Sequence, residues 1–137
     1  ELKKNYSNYF ESGQVLHYEG LDENDLLFTY SNSLFCVLPS RHEPYGLVVL
    51  EAMAVGKPVI ITDQVGAKEV VENGQEGFIV PFGDSDILAD IMRNLIENEN
   101  LIEKMGRLAK KKASKNTWEI KAQEYYNLYN NITKKFS

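Results

Sequence analysis

Two hydrophobic periodicities divide the chain. In the first part, short continuous apolar runs alternate with stretches of helical pattern. Gln14-Val15-Leu16-His17-Tyr18 reads as a strand, residues 23–31 as a short helix, and Leu34-Phe35-Cys36-Val37-Leu38 as a strand covered on both faces. Residues 46–55 read as a second helix, stopped by Gly56-Lys57-Pro58. Val59-Ile60-Ile61-Thr62 is another buried strand, residues 67–72 a short helix ended at Asn73-Gly74, and Gly77-Phe78-Ile79-Val80 the last strand. Such alternation predicts βαβ units with right-handed crossovers and a parallel sheet.

Beyond Pro81 only the helical period remains. Ile87, Leu88, Ile91, Met92, Leu95 and Ile96 recur at the spacing of one helical face, with Asp84 as the N-cap. Leu101, Ile102, Met105, Leu108 and Ala109 repeat the pattern. Trp118, Ala122, Tyr125, Tyr129 and Ile132 step by four, three, four and three residues, a stripe on a third helix capped by Asn116 or Thr117. Tyr125, Tyr126 and Tyr129 are accordingly expected mostly in the core. The fold class expected is α/β: a Rossmann-like parallel sheet with flanking helices, one domain over residues 1–137, of which residues 84–137 form C-terminal helices. Four strands are few for a doubly wound sheet, no strand precedes Ser12-Gly13, and the chain opens without methionine. The expectation is an N-terminally truncated piece of a larger protein, lacking at least its opening strand.

Composition narrows the class. With 43% apolar and 26% charged residues, a chain of 137 residues is ordinary globular material, not collagen-like or disordered. No apolar run approaches the roughly 20 residues that cross a bilayer, and the first residues carry no signal-peptide pattern. Twenty acidic against fifteen basic residues give a net charge of −5, which disfavours nucleic acid as a partner. The single cysteine, Cys36, allows no internal disulfide and fits a reducing, cytoplasmic compartment. Its apolar neighbours predict an inert, buried thiol.

Candidate chemistry concentrates between the strand ending at Leu38 and the helix that follows. Ligands of open parallel sheets bind beyond the C-terminal ends of the strands. Gly46 stands at the helix start, where the N–H groups of Gly46, Leu47 and Val48 lack intrahelical partners and the dipole is positive. A phosphate suits such a place, and an ordinary glycine at a helix start is the plainer alternative. Glu51 is the only charged residue of residues 46–55, a helix apolar all round and therefore expected to be buried. Helical side chains lean toward the N-terminus, so Glu51 points toward the anion's place. A carboxylate there cannot bind phosphate but can accept two hydrogen bonds from a vicinal diol. Phosphate donors beside a diol acceptor describe a nucleotide; a buried Glu paired with an interior Lys or backbone is the alternative. Glu43, eight positions earlier on the loop, can accept bonds from sugar hydroxyls or be a solvated loop acid.

Glu43 and Glu51 form an E-x7-E spacing. Its flanks are Pro39-Ser40 before, Gly46-Leu47-Val48-x-Leu50-Glu51-Ala52-x-Ala54-x-Gly56-x-Pro58-Val59-Ile60 within and after, then Gly66-Ala67-x-Glu69, Asn73-Gly74-x-x-Gly77, Gly83-Asp84 and Trp118. The whole closely resembles the donor domain of the retaining glycosyltransferases of family 4, also called group 1, over roughly residues 14–129. The resemblance implies the C-terminal half of the glycosyltransferase B-type fold, with the active site between two Rossmann-like domains. It implies that Glu43 contacts the donor sugar, that the amides of Gly46, Leu47 and Val48 hold the diphosphate, and that Glu51 binds the ribose. Glu43 and Glu51 are the catalytic pair in that scheme, with no metal and no other cofactor. The partners implied are a UDP-, GDP- or ADP-sugar donor and a sugar, lipid-linked or small-molecule acceptor held by an N-terminal domain. Retention is commonly explained by front-face attack, with the diphosphate helping to deprotonate the acceptor.

Some features depart from the pattern. The family's usual Arg and Lys near the start of the donor domain cannot be placed, and Lys3 and Lys4 stand in the wrong context to replace them. The usual Gly-Gly is Gly66-Ala67, and the usual Phe before the motif glycine is Tyr45. His17 reads as a satisfied strand residue. His42 and Arg41 lie on the motif loop, within reach of sugar or phosphate in the functional reading. Lys110, Lys111 and Lys112 read as a solvated face, with peripheral contact to anionic lipid as the second reading. In relatives the last helix leans on the other domain, which would leave part of its stripe exposed in this piece. A two-domain nucleotide-sugar epimerase and a non-catalytic binding module are the competing functional readings.

Overall fold

A computed structural model describes residues 2–134, with side chains from Lys4 onward. Two short helices, α1 (Leu2–Asn5) and α2 (Ser7–Glu11), precede α3 (Glu23–Asn32). Strand β1 (Cys36–Leu38), helix α4 (Leu47–Ala54) and strand β2 (Val59–Thr62) form the first crossover unit. A 3₁₀ turn at Gly66–Glu69 leads to β3 (Gly77–Val80), and α5 (Ser85–Glu97), α6 (Glu99–Ala113) and α7 (Trp118–Thr133) follow. The three strands pair in parallel in the order β1-β2-β3, with Cys36 opposite Val59 and Val59 opposite Gly77.

All four residues of the central strand are buried, and its pleat sends them to two cores. Val59 and Ile61 pack with Val49, Ala52 and Met53 of α4 and with Ala109 and Ala113 of α6. Ile60 packs with Val80, Leu95 of α5 and Met105 of α6 on the other face. Helix α6 therefore closes both layers. Side chains of this size each contribute about 1.5–3 kcal/mol on full burial, so β2 is the centre of stability. The helix starts follow the expected capping chemistry. Asp84 accepts from the Ile87 N–H at 3.0 Å, and the Thr117 hydroxyl accepts from the Ile120 N–H at 3.4 Å. Asn98 does the same for α6, accepting from the Leu101 N–H.

Several expectations fail, each for a physical reason. Residues 14–18 form no strand: Val15, Leu16 and Tyr18 are exposed, and the Val15 N–H donates to the Tyr9 carbonyl instead of to a ladder. Apolar alternation becomes a strand only beside a partner, and no strand among the described residues lies next to it. Strand β1 begins at Cys36, not Leu34, and is half-buried, because it stands at the edge of the sheet. The stripe on α5 is narrower than its apolar residues suggest: Leu88, Ile91, Met92 and Leu95 pack inward, while Ile87 and Ile96 are exposed. Tyr125, Tyr126 and Tyr129 are exposed, not core, since α7 buries no residue. No helix among the described residues is long and apolar enough to cross a membrane.

Candidate functional site

The loop leaving β1 is stitched to the segment that leaves β2. The Thr62 hydroxyl donates to the Ser40 carbonyl, and the Gly66 N–H donates to the Glu43 carbonyl at 2.7 Å. Glu43 and Val65 form an isolated parallel bridge. A Cβ on Gly66 would stand 1.8 Å from the Pro44 carbonyl oxygen, so the two segments touch backbone to backbone. Gly46, the N-cap of α4, is left-handed (φ +67°), and its Cα faces the Ala67 and Val65 side chains, 2.9 and 3.1 Å from where a Cβ would lie. Glycine at position 46 thus answers to backbone conformation and close packing. The alanine of Gly66-Ala67 packs its methyl against that bare Cα.

This stitching aims Glu43 at the start of α4. Its Oε1 accepts from the N–H groups of Tyr45 at 3.2 Å and Gly46 at 3.1 Å. Glu43 is half-buried and acts as an internal anion on the positive end of the helix. One of the three amides expected for a phosphate, that of Gly46, is therefore already engaged. The N–H groups of Leu47 and Val48 have no partner among the described residues, and both residues are exposed. Oε2 of Glu43 is likewise without a hydrogen bond there.

Glu51 is exposed, against the expectation of a buried carboxylate. The reason is geometric. Helix α4 buries only Val49, Ala52 and Met53 against the sheet and α6, while Leu47, Val48, Glu51 and Ala54 face outward. Glu51 shares the face of Leu47, one turn along. It borders two grooves. One, of about 460 Å³, lies between α4 and the α6–α7 junction and is lined by Leu47, Leu50, Ala113 and Trp118. The other, of about 260 Å³, lies between α3 and α4 and is lined by Leu26, Leu27, Tyr30 and Val55. Glu43 lines neither groove.

Tyr30, which the sequence reading passed over, donates its hydroxyl to Glu51 Oε2 at 3.1 Å. Partial burial, then the Glu51 charge and this bond, hold the phenol well above the usual tyrosine range. Cys36 is half-buried rather than buried as expected; burial, and secondarily the Glu51 charge, still raise its thiol, which stays protonated. The helical spacing of Leu26, Leu27 and Tyr30 is visible in the sequence, but nothing local in it points to Glu51, twenty-one positions away.

The remaining candidates are dispersed. Arg41 and His42 are exposed on the motif loop. His17 lies outside any strand, its Nδ1 3.8 Å from Glu19. The lysine run is only partly a solvated face: Lys112 is half-buried and stands 3.8 Å from the buried Glu76, whose other oxygen accepts from the Glu72 N–H.

The strand-end loop of a parallel α/β domain thus brings a half-buried carboxylate to the start of α4, beside two amides that have no partner among the described residues. The glycosyl transferases group 1 family matches residues 1–112, and the chain belongs to that family. It is 36% identical over 112 residues to the capsular polysaccharide biosynthesis glycosyltransferase CapM of Staphylococcus aureus, covering 81% of this chain and 30% of CapM. It is 32% identical over 108 residues to a D-inositol 3-phosphate glycosyltransferase of Corynebacterium jeikeium, covering 79% and 26% of the two chains. Among solved structures, sucrose-phosphate synthase from Thermosynechococcus elongatus superposes with a TM-score of 0.86 at 28% identity, over 96% of this chain and 33% of that one. Anabaena Alr3699/HepE in complex with UDP and glucose gives 0.77 at 28% identity, over 94% and 36%. The chain thus spans about a third of the length of these proteins, and it shares its fold with the two solved structures.

Proposed function

We propose that this chain is the nucleotide-sugar donor domain of a retaining glycosyltransferase. The parent protein transfers a hexose from a nucleotide diphosphate sugar to a sugar, lipid-linked or small-molecule acceptor. The observation that carries the reading is the start of α4. Two unpartnered amides, Leu47 and Val48, lie one turn from an exposed carboxylate, Glu51, on one helix. Amides suit a diphosphate and the carboxylate suits a ribose diol. The UDP complexes of the Anabaena neighbour support a uridine donor among the UDP, GDP and ADP choices.

In this reading Glu43 keeps Oε1 on the Gly46 amide and offers Oε2 to the sugar hydroxyls. The bond from the sugar's anomeric carbon to the diphosphate breaks while the acceptor oxygen bonds to that carbon on the same face. The acceptor proton passes to the departing diphosphate oxygen. The scheme uses no metal and no other cofactor. A cytoplasmic enzyme, peripheral to the membrane where the acceptor is lipid-linked, is in keeping with the lone cysteine of this chain, Cys36.

The chain alone binds donor nucleotide without transferring sugar, because positioning of the acceptor, worth about 7–11 kcal/mol of barrier, needs a second binding wall. Calorimetric titration with UDP, GDP and ADP should give a weak site, with a Kd on the order of 1 mM, or about −4 kcal/mol. The same sample should release no nucleotide from a sugar donor above a Glu51→Ala control. A folded chain that binds none of the three contradicts the reading.

A further inference from the structure

We propose that Tyr30 is a positioning residue for Glu51: its hydroxyl pins one carboxylate oxygen so that the other is presented to the ribose diol. The inference rests on the donor-site reading above. Both motif carboxylates show the same division of labour. Glu43 has Oε1 held by backbone N–H groups and Oε2 open. Glu51 has Oε2 held by Tyr30 and Oε1 without a partner among the described residues. Each acid is thus fixed by one oxygen and available through the other.

The need for a tether follows from exposure. Glu51 stands on the open face of α4, where a flexible side chain in water samples several rotamers and must lose that freedom on binding. Tyr30 loses little, because its ring is already half-buried against the core that includes Val49, Ala52 and Met53 of α4. Helix α3, which carries it, is set by Asp22, whose side chain accepts from the Asp25 N–H at 2.9 Å. The anchor is therefore rigid where the acid is not. Its chemistry also suits the task. A lysine or arginine at this place would neutralise the carboxylate, and a second acid would repel it. A phenol is a neutral donor that takes one of about four lone-pair sites and leaves the charge and the rest for a diol. Burial and the Glu51 charge keep that phenol protonated across the neutral range, so the donor is always present.

A purely structural tie between α3 and α4 is the competing account, and ligand chemistry separates the two. The test measures affinities of the unmodified chain, Tyr30→Phe, Glu51→Gln and the double variant. The probes are the tightest binder among UDP, GDP and ADP and its 2′,3′-dideoxy counterpart. Tyr30→Phe should weaken the ribonucleotide about three- to tenfold, the cost of ordering one freed side chain on binding. It should leave the dideoxy ligand within about twofold, and add nothing in the Glu51→Gln background. Comparing two ligands on one variant cancels any change in folding stability. An equal loss for both ligands, or no loss for either, while Glu51→Gln weakens the ribonucleotide selectively, overturns the role of Tyr30. If Glu51→Gln weakens both ligands equally or neither, the ribose reading of Glu51 is wrong and this inference falls with it.

Discussion

Replacing Gly66 by alanine should destabilise the chain by about 3 kcal/mol, the upper end of what an overpacked site costs. The added Cβ would lie 1.8 Å from the Pro44 oxygen and 2.7 Å from its carbon, and both are backbone atoms that cannot swing aside. The alternative to unfolding is retreat of the loop. That breaks the 2.7 Å bond from the Gly66 N–H to Glu43 and draws the Glu43 carboxylate off the start of α4. Urea unfolding followed by circular dichroism reads the first outcome, and the amide resonance of Gly46 reads the second. An unchanged midpoint together with an unchanged Gly46 resonance would show that the two segments do not meet as described.

The two motif carboxylates should respond differently to the same substitution. Glu51→Gln keeps the shape but weakens a charged hydrogen bond, typically about 1.5–3 kcal/mol, so affinity should fall by about 10- to 150-fold for free nucleotide and nucleotide sugar alike. Glu43→Gln should not weaken free-nucleotide binding and, in the full-length enzyme, should lower turnover, because in the donor-domain proposal the sugar is positioned through that contact. Stability separates them in the opposite sense. Glu43 caps Tyr45 and Gly46, so losing its charge should cost about 1 kcal/mol. Glu51 is exposed, so its substitution should barely move the unfolding midpoint. Equal loss of free-nucleotide binding in both variants, with both folded, would refute this division of roles.

The sequence disclosed the parts of this fold that depend on neighbours close in the chain. Strands β2 and β3 match their apolar runs residue for residue, and Asp84 and Thr117 cap the helices they precede, because burial on both faces and capping are local signals. What it concealed depends on who stands alongside. The apolar residues 14–18 carry strand propensity with no ladder to join. The tyrosines of α7 carry a helical stripe with nothing packed over it among the described residues, and an amphipathic pattern does not say what covers its apolar face.

The candidate site divides in the same way. The E-x7-E spacing marked Glu43 and Glu51 and the helix start between them. Composition suggested that Glu51 was buried, since α4 is apolar except there. A helix on the flank of a narrow sheet covers only one face, and an apolar opposite face does not change that. The contact of Glu43 with the Gly46 amide, and that of Tyr30 with Glu51, depend on loop stitching and on helix placement that no local pattern encodes.

Backbone amide shifts during titration with UDP, GDP and ADP test the central claim most directly. The nucleotide that binds should perturb Leu47 and Val48 most, whose N–H groups are free, with Gly46 following as Glu43 adjusts. Glu51 and its helical neighbours should shift only with ligands that carry both ribose hydroxyls. A folded chain whose residues 46–48 stay unmoved with all three nucleotides, or whose largest shifts fall on the basic face of Lys111, Lys112 and Lys115, would contradict a donor site at the start of α4.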